Sequence, residues 1–205
     1  MQRGMFIVFE GIDGSGKTTQ VKLLAERLSK EGREVVVTRE PGGTRIGGQI
    51  RELLLNPANR EITYRAEAML YAADRAQHVG EKILPALKAG RIVICDRFTG
   101  STLAYQGGGR GIDREFLNRL NQLAVSGVHP DMVFLLDVPP RVGLERLADN
   151  GTSMDRLESE GILFYNRVRE TYLALAANSG SLYRVLDGRM PPEDVHRAVW
   201  SQLGG

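Results

Sequence analysis

The stretch Phe6-Ile-Val-Phe-Glu-Gly-Ile-Asp-Gly-Ser-Gly-Lys-Thr-Thr19 limits what this chain can become more than any other part of it. It carries Gly11-x-x-x-x-Gly16-Lys17-Thr18, the spacing of a phosphate-binding loop. Phe6 to Phe9 is a short apolar run of the kind a buried parallel strand shows. Thr18 to Lys30 has helical periodicity, with Val21, Leu24, Ala25 and Leu28 on one side. Strand, glycine-rich turn and helix thus follow in the order phosphate binding needs. Gly11, Gly14 and Gly16 allow successive N–H groups to point inward at phosphate oxygens. The helix N-terminus adds partial positive charge, Lys17 can reach the outer phosphates, and the Thr18 hydroxyl can ligate Mg²⁺. The alternative is a ligand-free glycine turn between a strand and a helix.

With 205 residues the chain has room for one well-buried α/β core and too little for two independent domains. A 42% apolar content fits a packed domain. The net charge of +2 is small, and the basic residues are spread out, without the runs that mark nucleic-acid arms. Cys95 is the one cysteine, so no internal disulfide forms, which suits a reducing compartment. Met1 to Met5 leads into an apolar run shorter than a signal-peptide core, and no stretch approaches the ~18 apolar residues of a membrane helix. A cytoplasmic protein is expected, with no membrane and no nucleic-acid partner.

After the first helix, strands are predicted at Glu34 to Thr38, Arg91 to Asp96, Met132 to Asp137 and Ser181 to Leu186. Helices are predicted over Ile46 to Leu55, Tyr64 to Leu87 with a kink at Pro85, Asp113 to Ser126, Pro139 to Ala148, Met154 to Asn178 and Pro191 to Leu203. Phe98 to Arg110 reads as a helix that gives way to a glycine loop, because Gln106-Gly-Gly-Gly-Arg110 cannot continue a helix cheaply. Five short apolar strands alternating with helices predict a single parallel sheet covered on both faces. Ligands of such sheets bind at the strands' C-terminal ends. There this chain places the phosphate loop, Arg39-Glu40, Asp96-Arg97, Asp137 and Asp187.

Asp96 and Asp137 each end an apolar strand, and either position suits an acid that holds Mg²⁺ directly or through water. Arg97 beside Asp96 favours the former. Arg39, Arg51, Arg75 and Arg97 lie at or near sheet ends and together suggest an anionic acceptor held by guanidinium clamps, although each alone reads as well as a surface ion pair. Tyr71 and Arg75 share one helical face, where a ring and a guanidinium suit a nucleobase, with core packing of the ring the alternative.

Phe9-Glu-Gly-Ile-Asp-Gly-Ser-Gly-Lys-Thr-Thr19, Thr38-Arg-Glu-Pro-Gly-Gly-Thr44, Asp96-Arg-Phe98 and Ala104-Tyr-Gln-Gly-Gly-Gly-Arg-Gly111 together resemble the bacterial thymidylate kinase family, in that family's order and over essentially the whole chain. The resemblance implies a P-loop kinase fold with a five-stranded parallel sheet, ATP-dependent phosphorylation of dTMP to dTDP, Mg²⁺ and a homodimer. It assigns Gly11, Ile12, Asp13, Gly14, Ser15, Gly16, Lys17, Thr18 and Thr19 to the ATP phosphates. Arg39, Arg51, Arg75 and Arg97 fall around dTMP and the transferred phosphate, Asp13 near the 3′-hydroxyl, and Glu40, Asp96 and Thr18 around Mg²⁺ and its waters. Tyr71 stands where the family has a phenylalanine on thymine. Thr102 and Gln106 fall near the base and Tyr105 beside the deoxyribose.

The resemblance also implies a short lid, around residues 147–156. Many bacterial members carry several arginines there, but Leu147 to Asp155 has no basic residue, and Gly14 and Ser15 leave the phosphate loop without an arginine. Arg156 is therefore the expected transition-state cation, with Arg146 second, and Lys17, Arg97, Asp96 and Arg156 form the expected catalytic set. Rival readings are another nucleoside monophosphate kinase, a deoxynucleoside kinase and a GTPase-type switch. No Asn-Lys-x-Asp guanine motif supports the switch.

Overall fold

Five strands form one parallel sheet: β1 Phe6–Glu10, β2 Val35–Arg39, β3 Ile92–Asp96, β4 Met132–Asp137 and β5 Tyr183–Asp187, in the order β2-β3-β1-β4-β5. The computed structural model describes residues 4–149 and 155–204. Side chains of β1 alternate between the two faces, as strand geometry requires. Phe6 and Val8 join Val93, Cys95 and Val133 on one face, under Val79, Ile83 and Leu87. Ile7 and Phe9 join Ile94, Phe134 and Leu136 on the other, under Val21, Leu24 and Leu28 of α1 (Lys17–Lys30) and Val195 and Val199 of α9 (Pro192–Ser201). Every residue of β1 is buried, as expected for the central strand of a sheet covered on both faces.

The remaining helices are α2 (Arg45–Leu55), α3 (Tyr64–His78), α4 (Leu84–Lys88), α5 (Thr99–Thr102), α6 (Arg114–Val125), α7 (Pro140–Asp149) and α8 (Ile162–Ala177). Thr44, Thr63 and Asp113 cap α2, α3 and α6 by accepting from the N–H groups of Gly47, Ala66 and Phe116. The predicted strands match to within two residues.

Three helical expectations need correction. The segment from Tyr64 does not simply kink at Pro85. A π-helical turn, Val79–Ile83, separates α3 from α4, and Pro85 sits in the first turn of α4. The glycine run is not a loop: Leu103–Gly109 is π-helical. Its glycines answer to packing, because a Cβ on Gly108 would lie 2.0 Å from Thr171 Oγ1 and one on Gly109 2.4 Å from the Phe164 ring. Arg167 of α8 then donates to the carbonyls of Gly108 and Gly109. Close packing against α8 outweighs the intrinsic cost of glycine. The helix expected from Met154 begins only at Ile162. Met154 lies outside the described residues, and Asp155 to Glu160 form turns in which Asp155 Oδ1 accepts from the N–H groups of Leu157 and Glu158. Residues 150–154 of the expected lid are likewise outside the described residues.

Candidate active site

Sheet register brings the strand-end residues together. Phe9 lies opposite Asp96, and Asp96 opposite Arg39, so β1, β2 and β3 deliver the phosphate loop, Arg39-Glu40 and Asp96-Arg97 to one edge. The loop continues β1 directly. Gly14 takes φ +73°, and a Cβ there would meet the Gly143 carbonyl oxygen at 2.2 Å, so only glycine fits against α7. Lys17 is buried. Its ammonium donates to the Ile12 carbonyl at 2.7 Å, and burial, reinforced by the nearby Arg97 charge, lowers its pKa to about 8. Ile12 serves through its backbone, since its side chain belongs to the core. The Thr18 hydroxyl donates to Asp96 Oδ2 at 2.8 Å.

The two strand-end acids have different partners. Both end strands that neighbour β1, but Asp96 is the one bonded to the loop, through the Thr18 hydroxyl. Asp137 instead accepts two bonds from Arg169 of α8, at 2.7 and 2.8 Å.

Arg97 is the hub of the site. Its backbone lies in the left-handed region, φ 74°, unusual for a residue with a side chain. Its N–H donates to the Phe9 carbonyl, which fixes it to the central strand. The guanidinium donates to the Gly11 carbonyl at 2.9 Å, to Asp13 at 2.5 Å and to the Tyr105 hydroxyl at 3.0 Å. Tyr105 and Tyr165 also donate to Asp13, at 2.7 and 3.2 Å. Burial alone raises the Asp13 pKa, but the Arg97 and Lys17 charges outweigh it and hold it at about 2.

Two adjoining cavities share Asp13, Glu40, Arg51 and Arg97 in their walls. The larger, about 1000 Å³, runs along Gly14 to Thr19, Arg39 and Asp96 to Arg146 and Gly188. The smaller, about 110 Å³, is lined by Tyr71, Arg75, Phe98, Thr102, Tyr105 and Gln106. Burial, with repulsion from Arg39 added, lowers the pKa of Arg51, as expected of guanidiniums gathered around an anion site. Arg75 is fully buried and anchored by Glu40 Oε2 at 2.8 Å, Thr102 at 2.9 Å, Asn121 at 2.7 Å and the Phe98 carbonyl at 3.0 Å. The residues expected around an acceptor therefore do converge.

Two expectations do not survive this geometry. Glu40 was expected near Mg²⁺, but its carboxylate sits between Arg75 and His78 Nδ1, 2.8 and 3.0 Å away, so it orients Arg75. Arg156 was expected to reach the phosphates from the lid. It is buried, lines neither cavity, donates to the Leu54 carbonyl and pairs with Glu67 at 2.6 Å. Glu160, four residues further on, pairs with Arg110 and not with Arg156. Arg146 does border the large cavity, but it donates to the carbonyls of Gly14 and Gly188.

Sequence reasoning missed Glu10, a buried carboxylate that accepts from the N–H groups of Phe98 and Ser101 and from the hydroxyls of Ser101 and Tyr172. Burial raises its pKa. The signal was present: Glu10 is the one charged residue in the β1 run, directly before Gly11. Tyr165 and Tyr172 were missed as well, although their seven-residue spacing places both on one face of α8.

A model of the thymidylate kinase family matches residues 9–199. The chain is 57% identical over 197 residues to the thymidylate kinase of Pelotomaculum thermopropionicum, covering 96% of this chain and 91% of that protein. It is 51% identical over 203 residues to that of Carboxydothermus hydrogenoformans, covering 99% and 98%. A crystal structure of thymidylate kinase from Ehrlichia chaffeensis superposes with a TM-score of 0.81 at 38% identity, covering 99% of both chains. With a phosphate loop, a converging set of arginines and similarity to these enzymes over nearly its whole length, the chain belongs to the thymidylate kinase family.

Proposed function

We propose that the larger cavity takes ATP and the smaller one dTMP, and that the γ-phosphoryl group crosses where the two meet at Arg97. As a member of its family the chain phosphorylates dTMP to dTDP with ATP. The observation that carries the two-cavity reading is the shared wall of Asp13, Arg51 and Arg97 between a phosphate-loop cleft and a ring-lined pocket. Phosphoryl transfer depends on positioning and charge neutralisation more than on covalent chemistry. The loop's backbone N–H groups and Lys17 hold the donor phosphates. Arg39 and Arg51 hold the acceptor phosphate, and Arg97 serves both. Tyr71 and Phe98 flank the base, while Tyr105 and Asp13 meet the sugar. Burial, and next the Glu67 charge, raise the Tyr71 pKa, so its ring is presented as a neutral phenol.

The residues present fit Mg²⁺. Thr18 Oγ1 and Asp96 Oδ2 are oxygen donors 2.8 Å apart at the loop, and among the described residues no cluster of three His, Cys, Asp or Glu side chains forms an all-protein cage. An ion held by one or two protein oxygens, waters and phosphates is the usual Mg²⁺ arrangement in such enzymes, and when bound it neutralises charge on the donor phosphates.

The proposal includes a single kinase domain with a short lid near 147–156, a homodimer and a cytoplasmic location. Exposed Tyr64 and Met69 on α3 and Leu123 on the neighbouring α6 support a helix-mediated dimer. A free buried thiol at Cys95 supports a reducing compartment, and among the described residues no helix is long and apolar enough to cross a membrane.

The test is ADP release with ATP and a panel of acceptors: dTMP, dUMP, UMP, CMP, AMP, GMP and thymidine. dTMP is expected to lead, with dUMP behind by a modest factor, since one methyl group supplies ~1–3 kcal/mol. Equal kcat/KM for dTMP and AMP would contradict the acceptor assignment.

Lys17 also gives a pH dependence. Its ammonium is needed in the charged form, and with a pKa of about 8 it loses its proton as pH rises through that value. The expected result is a fall in kcat/KM for ATP above about pH 8, because that parameter reports the free enzyme. kcat at saturating ATP should hold to higher pH, since bound phosphates favour the ammonium. A kcat/KM for ATP that stays flat to pH 10 would reject this role of the lysine.

A further inference from the structure

Glu67, in the first turn of α3, is completely buried beside the acceptor cavity without lining it. Its Oε1 accepts from Gln106 Nε2 at 2.9 Å and Arg110 Nε at 3.3 Å. Its Oε2 meets Arg110 Nη2 at 3.4 Å and Arg156 Nη2 at 2.6 Å. An ionised carboxylate only accepts hydrogen bonds, and an amide side chain has a donating end and an accepting end. Gln106 must therefore turn its NH₂ group toward Glu67, which leaves its carbonyl oxygen for the cavity it lines.

Arg75 supplies the complementary half. Four of its five N–H groups are engaged by Glu40, Thr102, Asn121 and the Phe98 carbonyl, and the fifth, on Nη2, is left for the cavity. Arg75 and Gln106 between them thus offer one donor and one acceptor for a base edge. A pyrimidine with a 4-oxo group and an N3–H matches that pair. A 4-amino pyrimidine with an unprotonated N3 has both reversed, and a mismatched buried polar pair is strongly rejected.

We propose that Glu67 is the positioning residue that sets base choice: it locks the Gln106 amide so that the site accepts 4-oxo pyrimidine monophosphates and rejects 4-amino ones. This rests on the reading that the smaller cavity holds the acceptor base. Arg110 and Arg156 act through Glu67, which gives the buried arginine at the end of the lid a part in acceptor recognition.

The experiment compares kcat/KM for dTMP and dCMP in the wild type, in Glu67→Gln, and in the double variant Glu67→Gln with Gln106→Glu. In Glu67→Gln the neighbour can donate as well as accept, so the Gln106 amide can turn over. The dTMP-over-dCMP ratio is expected to fall at least about tenfold, mainly through a higher KM for dTMP. The double variant keeps the buried charge count and reverses the bond between the two positions, so that position 106 again offers only acceptor oxygens. It is expected to recover most of the wild-type ratio. A purely structural role would lower both substrates together without moving the ratio, and that outcome overturns the proposal. So does a double variant no more selective than Glu67→Gln. If Glu67→Gln does not fold, the double variant decides alone: a retained dTMP preference supports the proposal and a lost one overturns it. A wild type that uses dTMP and dCMP equally would remove the cavity assignment itself. A wild-type preference that survives Glu67→Gln removes Glu67 only.

Discussion

Replacing Lys17 by alanine is expected to lower kcat on the order of 10²-fold or more while leaving the fold intact. The ammonium sits inside the phosphate loop, bonded to the Ile12 carbonyl at 2.7 Å and close enough to Asp13, Asp96 and Glu10 to be held by their charges. It is a preorganised positive charge on a buried side chain, where such charges count for most. The methylenes it contributes to the core are few, so the loss of stability should be small beside the loss of rate. Circular dichroism and thermal melting of Lys17→Ala separate the two. A variant that keeps more than half the wild-type kcat would remove the phosphate loop from the reaction.

An effect at least as large is expected at Arg97. Neither arginine flanking the lid is aimed at the transferring group: Arg156 is engaged by Glu67 and the Leu54 carbonyl, and Arg146 by two backbone carbonyls. Arg97 stands between the two cavities, as Arg51 does, and it is the one of the two bonded to the loop carbonyl of Gly11, to Asp13 and to Tyr105. Arginines that meet the charge of a transferring phosphoryl group are worth ~10³–10⁵ in rate. Arg97→Ala is therefore expected to lower kcat on the order of 10³-fold, and Arg97→Lys to restore little, since a point charge cannot make the same set of bonds. Arg156→Ala should instead act mainly on the dTMP KM. The assignment fails if Arg97→Ala stays within tenfold of wild type, or if Arg156→Ala is the variant that loses kcat.

The contrast between those arginines shows which parts of the site are legible in a sequence. The phosphate loop is, because one strand, one turn and one helix make it from consecutive residues. The strand ends are, because an apolar run that stops on Asp96 or Asp137 marks its own terminus. Which acid faces the loop is not, since β3 and β4 both lie beside β1, and the difference rests on Thr18 bonding Asp96 and on Arg169 reaching Asp137 from α8. Glu40 is misread for a similar reason: its partners Arg75 and His78 come from a helix more than thirty residues away. The glycine run was read by propensity, which has no knowledge of Phe164 and Thr171 packed against it. Glu67 has no local signal at all. Its meaning lies in three partners, Gln106, Arg110 and Arg156, that only the folded chain assembles.

The central claim is that one phosphoryl group passes directly between two nucleotides held in adjoining cavities. The most direct measurement is a matrix of initial rates in which ATP and dTMP are both varied. Direct transfer in a ternary complex predicts double-reciprocal lines that intersect, with no ATP consumed above background when dTMP is left out. Parallel lines, with a phosphorylated protein that accumulates in the absence of dTMP, would mean that the group pauses on a side chain and would contradict the account.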